Sequence, residues 1–243
     1  MPESPSAEQF VKDLETHRSQ EQREKYKRYF KTGEGEYGEG DEFIGVRMGT
    51  VFALAKELIE TPPDEIEKLL ESEVHEARAG AMSILDKQGR SKKTPESRRK
   101  ELFDLYLKRM DRINNWDLVD LGAPYVIGHY LFDKPRREVL YEMARSENVW
   151  ERRIAIVATS YFIRQGDVAD TFEIAEVLLG DEHDLIHKAA GGWVREAGKK
   201  DRQRLSSFLD RYAATMPRAM LRYAIEHLDT EQRSHYLSLK KGG

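Results

Sequence analysis

The side chains best suited to chemistry lie in one short run, Asn114-Asn115-Trp116-Asp117-Leu118-Val119-Asp120. Trp116 and Asp120 are four residues apart, so a helix sets them on one face. Asp117 precedes Asp120 by three. A carboxylate beside an indole is poorly solvated, and its charge is felt more strongly there. Such a pair suits the stabilisation of positive charge on a ligand or a transition state. The same residues allow a plainer account, in which Asp117 caps a helix and Trp116 fills a core.

Other arrangements are weaker. Gly33-Glu34-Gly35-Glu36-Tyr37-Gly38 fits G-x-G-x-x-G in letters alone. A dinucleotide site needs a strand before it, a helix after it and amides turned to pyrophosphate. Here a charged helix is expected before it, and Glu34, Glu36, Glu39, Asp41 and Glu42 would repel phosphate. Those acids also lack the spacing of an EF-hand calcium loop. His183 and His187 share a helical face, but no Glu lies between them and no distal ligand follows, so the expectation is a helix start and no metal. No Ser–His–Asp arrangement stands out.

These residues must be carried by helices. Ser6 is placed to cap a charged helix running to about Phe30. Thr61-Pro62-Pro63-Asp64 and Thr94-Pro95-Glu96 each offer a cap followed by proline. Leu102, Leu105, Tyr106, Arg109 and Met110 make a one-sided stripe, as do Val139, Leu140 and Met143. Ile154 to Ile163 is apolar nearly all round and reads as a buried helix behind Trp150-Glu151-Arg152-Arg153. No hairpin dipeptide sits between alternating strands. Three segments echo one another: Val74–Ala79, Val149–Ile154 and Leu185–Ala190. Arg78, Arg153 and Lys188 fall 75 and then 35 positions apart, a spacing that suits a solenoid of helix pairs with Arg153 and Lys188 on one surface. The expected fold is therefore all-α, as a single repeat domain over residues 1–243 with a flexible acidic loop at about 31–42.

Composition narrows the classes. The 243 residues include no Cys, which removes disulfide scaffolds, zinc fingers and thiol enzymes. No apolar run approaches the ~18 residues of a membrane span, and MPESPSAEQF has neither a basic nor an apolar region of a secretory signal. A soluble, intracellular protein is expected. Forty Lys and Arg face 44 Asp and Glu, for a net charge of −4. The charge is unevenly spread: residues 87–112 hold ten bases against four acids, whereas residues 33–42 hold five acids and no base. A solvated helical surface is the plain reading of such runs; a basic groove for phosphates is the functional one.

Four stretches, in order, carry a resemblance. Tyr29–Gly33 with Phe43–Arg47, Arg112–Ala123 (RINNWDLVDLGA), Ser146–Ile156 (SENVWERRIAI) and His183–Asp201 (HDLIHKAAGGWVREAGKKD) resemble the AlkD-like DNA alkylation repair proteins, from about Tyr26 to about Tyr223. The resemblance implies a right-handed superhelix of HEAT-like repeats. It also implies a cofactor-free, monomeric DNA glycosylase in the bacterial cytoplasm, releasing 3-methyladenine and 7-methylguanine from duplex DNA. By that pattern Asp120 stabilises the oxocarbenium ion and positions water, and Trp116 packs near the sugar of the lesion. Arg153 holds a phosphate, and Tyr29 and Arg47 lie near the DNA face. The family's Lys-Ala-x-Gly-Trp becomes Lys188-Ala189-Ala190-Gly191-Gly192-Trp193 here, which displaces Trp193 by about 100° around a helix. That departure leaves open a second reading, a non-catalytic DNA-binding protein for damaged or branched DNA. A protein-binding scaffold is a third, and the basic segment counts against it.

Overall fold

The computed structural model describes residues 5–135 and 137–239, and among them the chain is all-helical, with no strand. A lone β-bridge joins Glu42 to Val74. The chain gathers into two compact units, Met1–Tyr130 and Leu131–Gly243. The first holds α1 (Ala7–Glu15), α2 (Gln20–Tyr29), α3 (Met48–Glu57), α4 (Pro63–Leu70), α5 (His75–Arg90), α6 (Glu96–Lys108) and α7 (Trp116–Gly122). A π-helical stretch over Ala123–Gly128 continues α7, and α8 (His129–Leu131) follows. The second holds α9 (Glu138–Ala144), α10 (Val149–Arg164), α11 (Ala169–Val177), α12 (Asp184–Lys200), α13 (Arg202–Tyr212), α14 (Arg218–Ala224) and α15 (Thr230–Ser238).

The three echoed segments open the long helices α5, α10 and α12. Each long helix packs on the shorter helix before it, giving the pairs α4–α5, α9–α10 and α11–α12. In the first unit α5 is the axle: α1, α3, α4 and α7 all lie against it, and nearly its whole length is buried. Its Ala77, Ala79 and Ala81 are small enough to let neighbours close in, while Met82, Ile84 and Leu85 fill the space between. Each such large side chain contributes about 1.5–3 kcal/mol on full burial. In the second unit the apolar run Ile154–Ile163 is the buried body of α10, as its length and polar flank predict.

Local expectations fail in instructive places. The first charged helix is two helices: α1 stops at Glu15 with Thr16 as its C-cap, and Ser19 caps the start of the next. Its hydroxyl accepts the Gln22 amide, and its own amide donates to the Ile44 carbonyl. Gly45 makes this possible: at φ 84° it lies so close that a Cβ would stand 2.0 Å from the Ser19 carbonyl oxygen. Thr61 and Thr94 do not cap. Pro62 and Pro95 take the cap positions of α4 and α6, and the threonine hydroxyls donate backward to the Leu58 and Gln88 carbonyls. Residues 31–42, expected as a loose loop, form a run of hydrogen-bonded turns pinned by buried Gly38 and Asp41.

The charge segregation along the chain largely cancels in space. Arg109 pairs with Glu67 and Glu71, Lys108 with Glu67 at 2.7 Å, and Arg112 with Glu73 at 3.2 Å. Thus α6 and the turn after it lay their bases on acids of α4 and of the residues that follow it. Arg90, Arg98 and Lys100 pair with Asp86, Glu101 and Asp104 within their own helices. Six of the ten bases of segment 87–112 thus face acids.

Candidate functional site: an aromatic cleft over a buried charge relay

In α7 the residues singled out by spacing converge. Asn115 caps the helix, its Oδ1 accepting the Trp116 amide at 2.9 Å, so Asp117 is left for another role. Trp116, Asp117 and Asp120 line one cavity of about 360 Å³ with Tyr26, Tyr29, Phe30, Met48, Phe52 and Leu121. Asp120 is exposed and Trp116 half-buried. The indole stacks on Phe30 at 5.7 Å between ring centroids and 21° between planes, and Tyr29 meets it edge-on at 5.8 Å. Tyr29 is itself 62% exposed, at the rim. The Tyr26 hydroxyl accepts the Met48 amide at 3.0 Å and so holds the start of α3 against the wall. Arg47, exposed, occupies the N-cap position of that helix.

Beneath the cleft lies a network of charge. Asp41 is its hub. Its Oδ1 accepts from Arg78 at 2.5 Å and from Asn114 at 2.8 Å, and its Oδ2 accepts from Asn115 at 3.0 Å. His75 bridges two carboxylates, with Nδ1 3.2 Å from Asp41 and Nε2 2.9 Å from Asp117. The ring is fully buried and stacks on Phe43 at 4.5 Å, with Phe30 at 5.1 Å. Glu76, next along α5, accepts the amides of Ile44, Gly45 and Val46. Burial alone would discharge the imidazole; the charges and hydrogen bonds of Asp117 and Asp41 outweigh it and hold the pKa at about 9. Burial alone would also raise the Asp41 carboxyl, but the hydrogen bond and charge of His75 and the charge of Arg78 bring it to about 2.

Three of the expected site residues, Tyr29, Trp116 and Asp120, therefore meet in one cleft of the first unit, and Arg47 stands beside it. Arg153, Lys188 and Trp193 belong to the second unit. Arg153 is 9% exposed and donates to the Leu185 carbonyl at 3.1 Å, in the first turn of α12. Lys188 is exposed and pairs with Asp184 at 2.5 Å. Trp193 is half-buried on α12, and a side chain added at Gly192 would enter open space. His183 caps α12 by accepting the Leu185 amide, and His187 bonds the Asp181 carbonyl; no metal-holding cluster occurs among the described residues. In the 33–42 turns, Glu36 and Glu39 accept the Gly33 and Gly35 amides, which are the very groups a phosphate would need.

Sequence reasoning missed the relay. His75 and Arg78 were visible only as part of an internal echo, although three residues apart at a helix start they share a face. Asp41 is one acid among five in its run. Nothing local distinguishes it, because its partners lie 34 to 74 residues away.

Known proteins bear on this geometry. No curated protein matches the chain. The family model described as DNA alkylation repair enzyme matches residues 10–228, spanning both the cleft and the second unit. The chain belongs to the DNA alkylation repair enzyme family.

Proposed function

We propose that this repair protein is a DNA glycosylase that hydrolyses the N-glycosidic bond of cationic N-alkylated purines, 3-methyladenine and 7-methylguanine, in duplex DNA. The observation that carries the reading is the exposed Asp120 carboxylate one turn after Trp116, on the wall of an open aromatic cleft. N-alkylation places positive charge on the base, so the base leaves without strong protonation by an acid. The C1′–N bond breaks with its electron pair going to the base, which neutralises it, and positive charge builds on the deoxyribose. Asp120 stabilises that charge and accepts a proton from the water whose oxygen attaches to C1′. The face of Trp116 adds cation–π attraction of about 0.5–2 kcal/mol. Arg47 is assigned to the phosphate backbone, a contact that positions DNA without reading sequence.

Incubation with methylated duplex DNA tests this. Free 7-methylguanine is expected with the wild-type protein and not with Asp120→Asn. Duplex binding without base release would favour the second reading, a binding protein for damaged DNA, for which Gly192 at the usual Trp position is the supporting observation.

A further inference from the structure

We propose that His75 is a positioning residue of the cleft: an imidazolium clamped between Asp41 and Asp117, it fixes Asp117 as a second carboxylate of the cleft that Asp120 lines. This rests on the glycosylase reading for the chemistry it serves.

The argument begins with donors and acceptors. Both ring nitrogens of His75 face carboxylate oxygens, at 3.2 and 2.9 Å. A neutral imidazole has one N–H and one lone pair, so one carboxylate would face a lone pair. Only the doubly protonated ring satisfies both contacts. The ring is enclosed, with Phe43 and Phe30 against it, where a cation gains from aromatic faces. The charged groups around it are few: Asp41 from the turns, Asp117 from α7, and Glu76 and Arg78 from its own helix, with Tyr26 of α2 facing Asp117 and Glu76. Glu76 is taken up by three backbone amides and Arg78 by Asp41 and the Ser72 and Glu73 carbonyls.

A second observation ties the clamp to the cleft. Asp117 lines the cavity, and its other oxygen, Oδ1, is enclosed without a hydrogen bond. An unsatisfied buried polar atom costs about 1–3 kcal/mol, and such sites call for an explanation. Holding a fixed negative charge beside a developing cation is that explanation. The two carboxylates then divide the work. Asp117 is held in place through Oδ2 by the ring. Asp120 is exposed on the same cavity. The hub at Asp41 also binds Asn114 and Asn115, so the same network sets the first turn of α7 and the direction of Trp116.

The experiment has two arms. In the first, side-chain NMR of the wild-type protein follows the His75 ring nitrogens from pH 6 to 10; both are expected to carry protons at pH 8. In the second, single-turnover base release from methylated duplex is measured over the same range. The wild-type rate is expected to fall as pH passes about 9, where the imidazolium is lost. His75→Gln, which donates to one carboxylate at most, should be slower by about tenfold or more with duplex affinity unchanged within about twofold, and should show no alkaline fall. Asp41→Asn, which removes one anion from the clamp, should move that fall down by about one pH unit or more. A neutral His75 at pH 8, or His75→Gln with the wild-type rate and profile, overturns the clamp. Failure of the wild-type protein to release any base overturns the glycosylase reading instead, and the NMR arm still decides the clamp.

Discussion

Raising the pH from 6 to 10 is expected to unload the proton that His75 holds between its two carboxylates and to weaken the first unit. The ring's pKa is lifted from its ordinary 6.5 to about 9. Below 6.5 the ring is charged in both folded and unfolded chains, and the clamp's contribution is fully present. Between 6.5 and 9 the folded protein holds one proton that the unfolded chain has lost, so stability falls by about 1.4 kcal/mol per pH unit. Above 9 the contribution is gone. The whole loss is about 3 kcal/mol, a large part of the 5–15 kcal/mol typical of a domain. The same contact seen from Asp41 is lost at the other extreme, as pH falls toward about 2, and the two are one interaction rather than two to be added. His183 works in the opposite sense. Burial lowers its pKa, so it favours folding above 6.5 and less as the pH falls further, and it lies in the second unit. The assay is urea unfolding at half-unit pH steps, read by tryptophan fluorescence. The chain has three tryptophans, and replacing Trp150 and Trp193 by Phe leaves Trp116 as a reporter of the first unit alone. Wild type minus His75→Gln isolates the ring. A difference that stays flat between pH 6.5 and 9.5 would refute the reasoning.

Three further outcomes are expected. Gly192→Ala adds a side chain into open space within α12 and is expected to raise thermal stability by about 0.5–1 kcal/mol. Gly38→Ala is expected to lower it by about 2 kcal/mol or more, since its Cβ would stand 2.2 Å from the Phe30 carbonyl oxygen; equal melting temperatures for the two variants would contradict the packing described. Lys100→Ala removes a base already paired with Asp104. Its duplex-binding salt slope is expected to match the wild type, whereas Arg47→Ala should flatten the slope by about one; the reverse pattern would restore segment 87–112 as the DNA face.

The sequence makes some levels of this structure plain and hides others for physical reasons. Helix class and the long helices at the three echoed segments follow from periodicity and internal repetition, and the buried run 154–163 from its length and polar flank, all of which can be read along the chain. The Trp116–Asp120 pairing follows from helical spacing, which is also local. The break at Ser19 does not, because it depends on Ile44 and Gly45 arriving from a distant turn. The charge runs misled in the same way. Segment 87–112 looks like a basic patch until Glu67 of α4, with Glu71 and Glu73 just after that helix, meets its bases. Asp41 and His75 are the clearest case. Each is ordinary among its sequence neighbours, and each acquires its role from partners more than thirty residues away.

The most direct test of the account is single-turnover release of free base from a duplex carrying one 7-methylguanine. The wild-type protein is expected to release the base well above the spontaneous rate. Asp120→Asn is expected to bind the duplex as well but to lose about a hundredfold or more in rate. Equal release by the two proteins would contradict the assignment of Asp120, and no release by either would contradict the glycosylase itself.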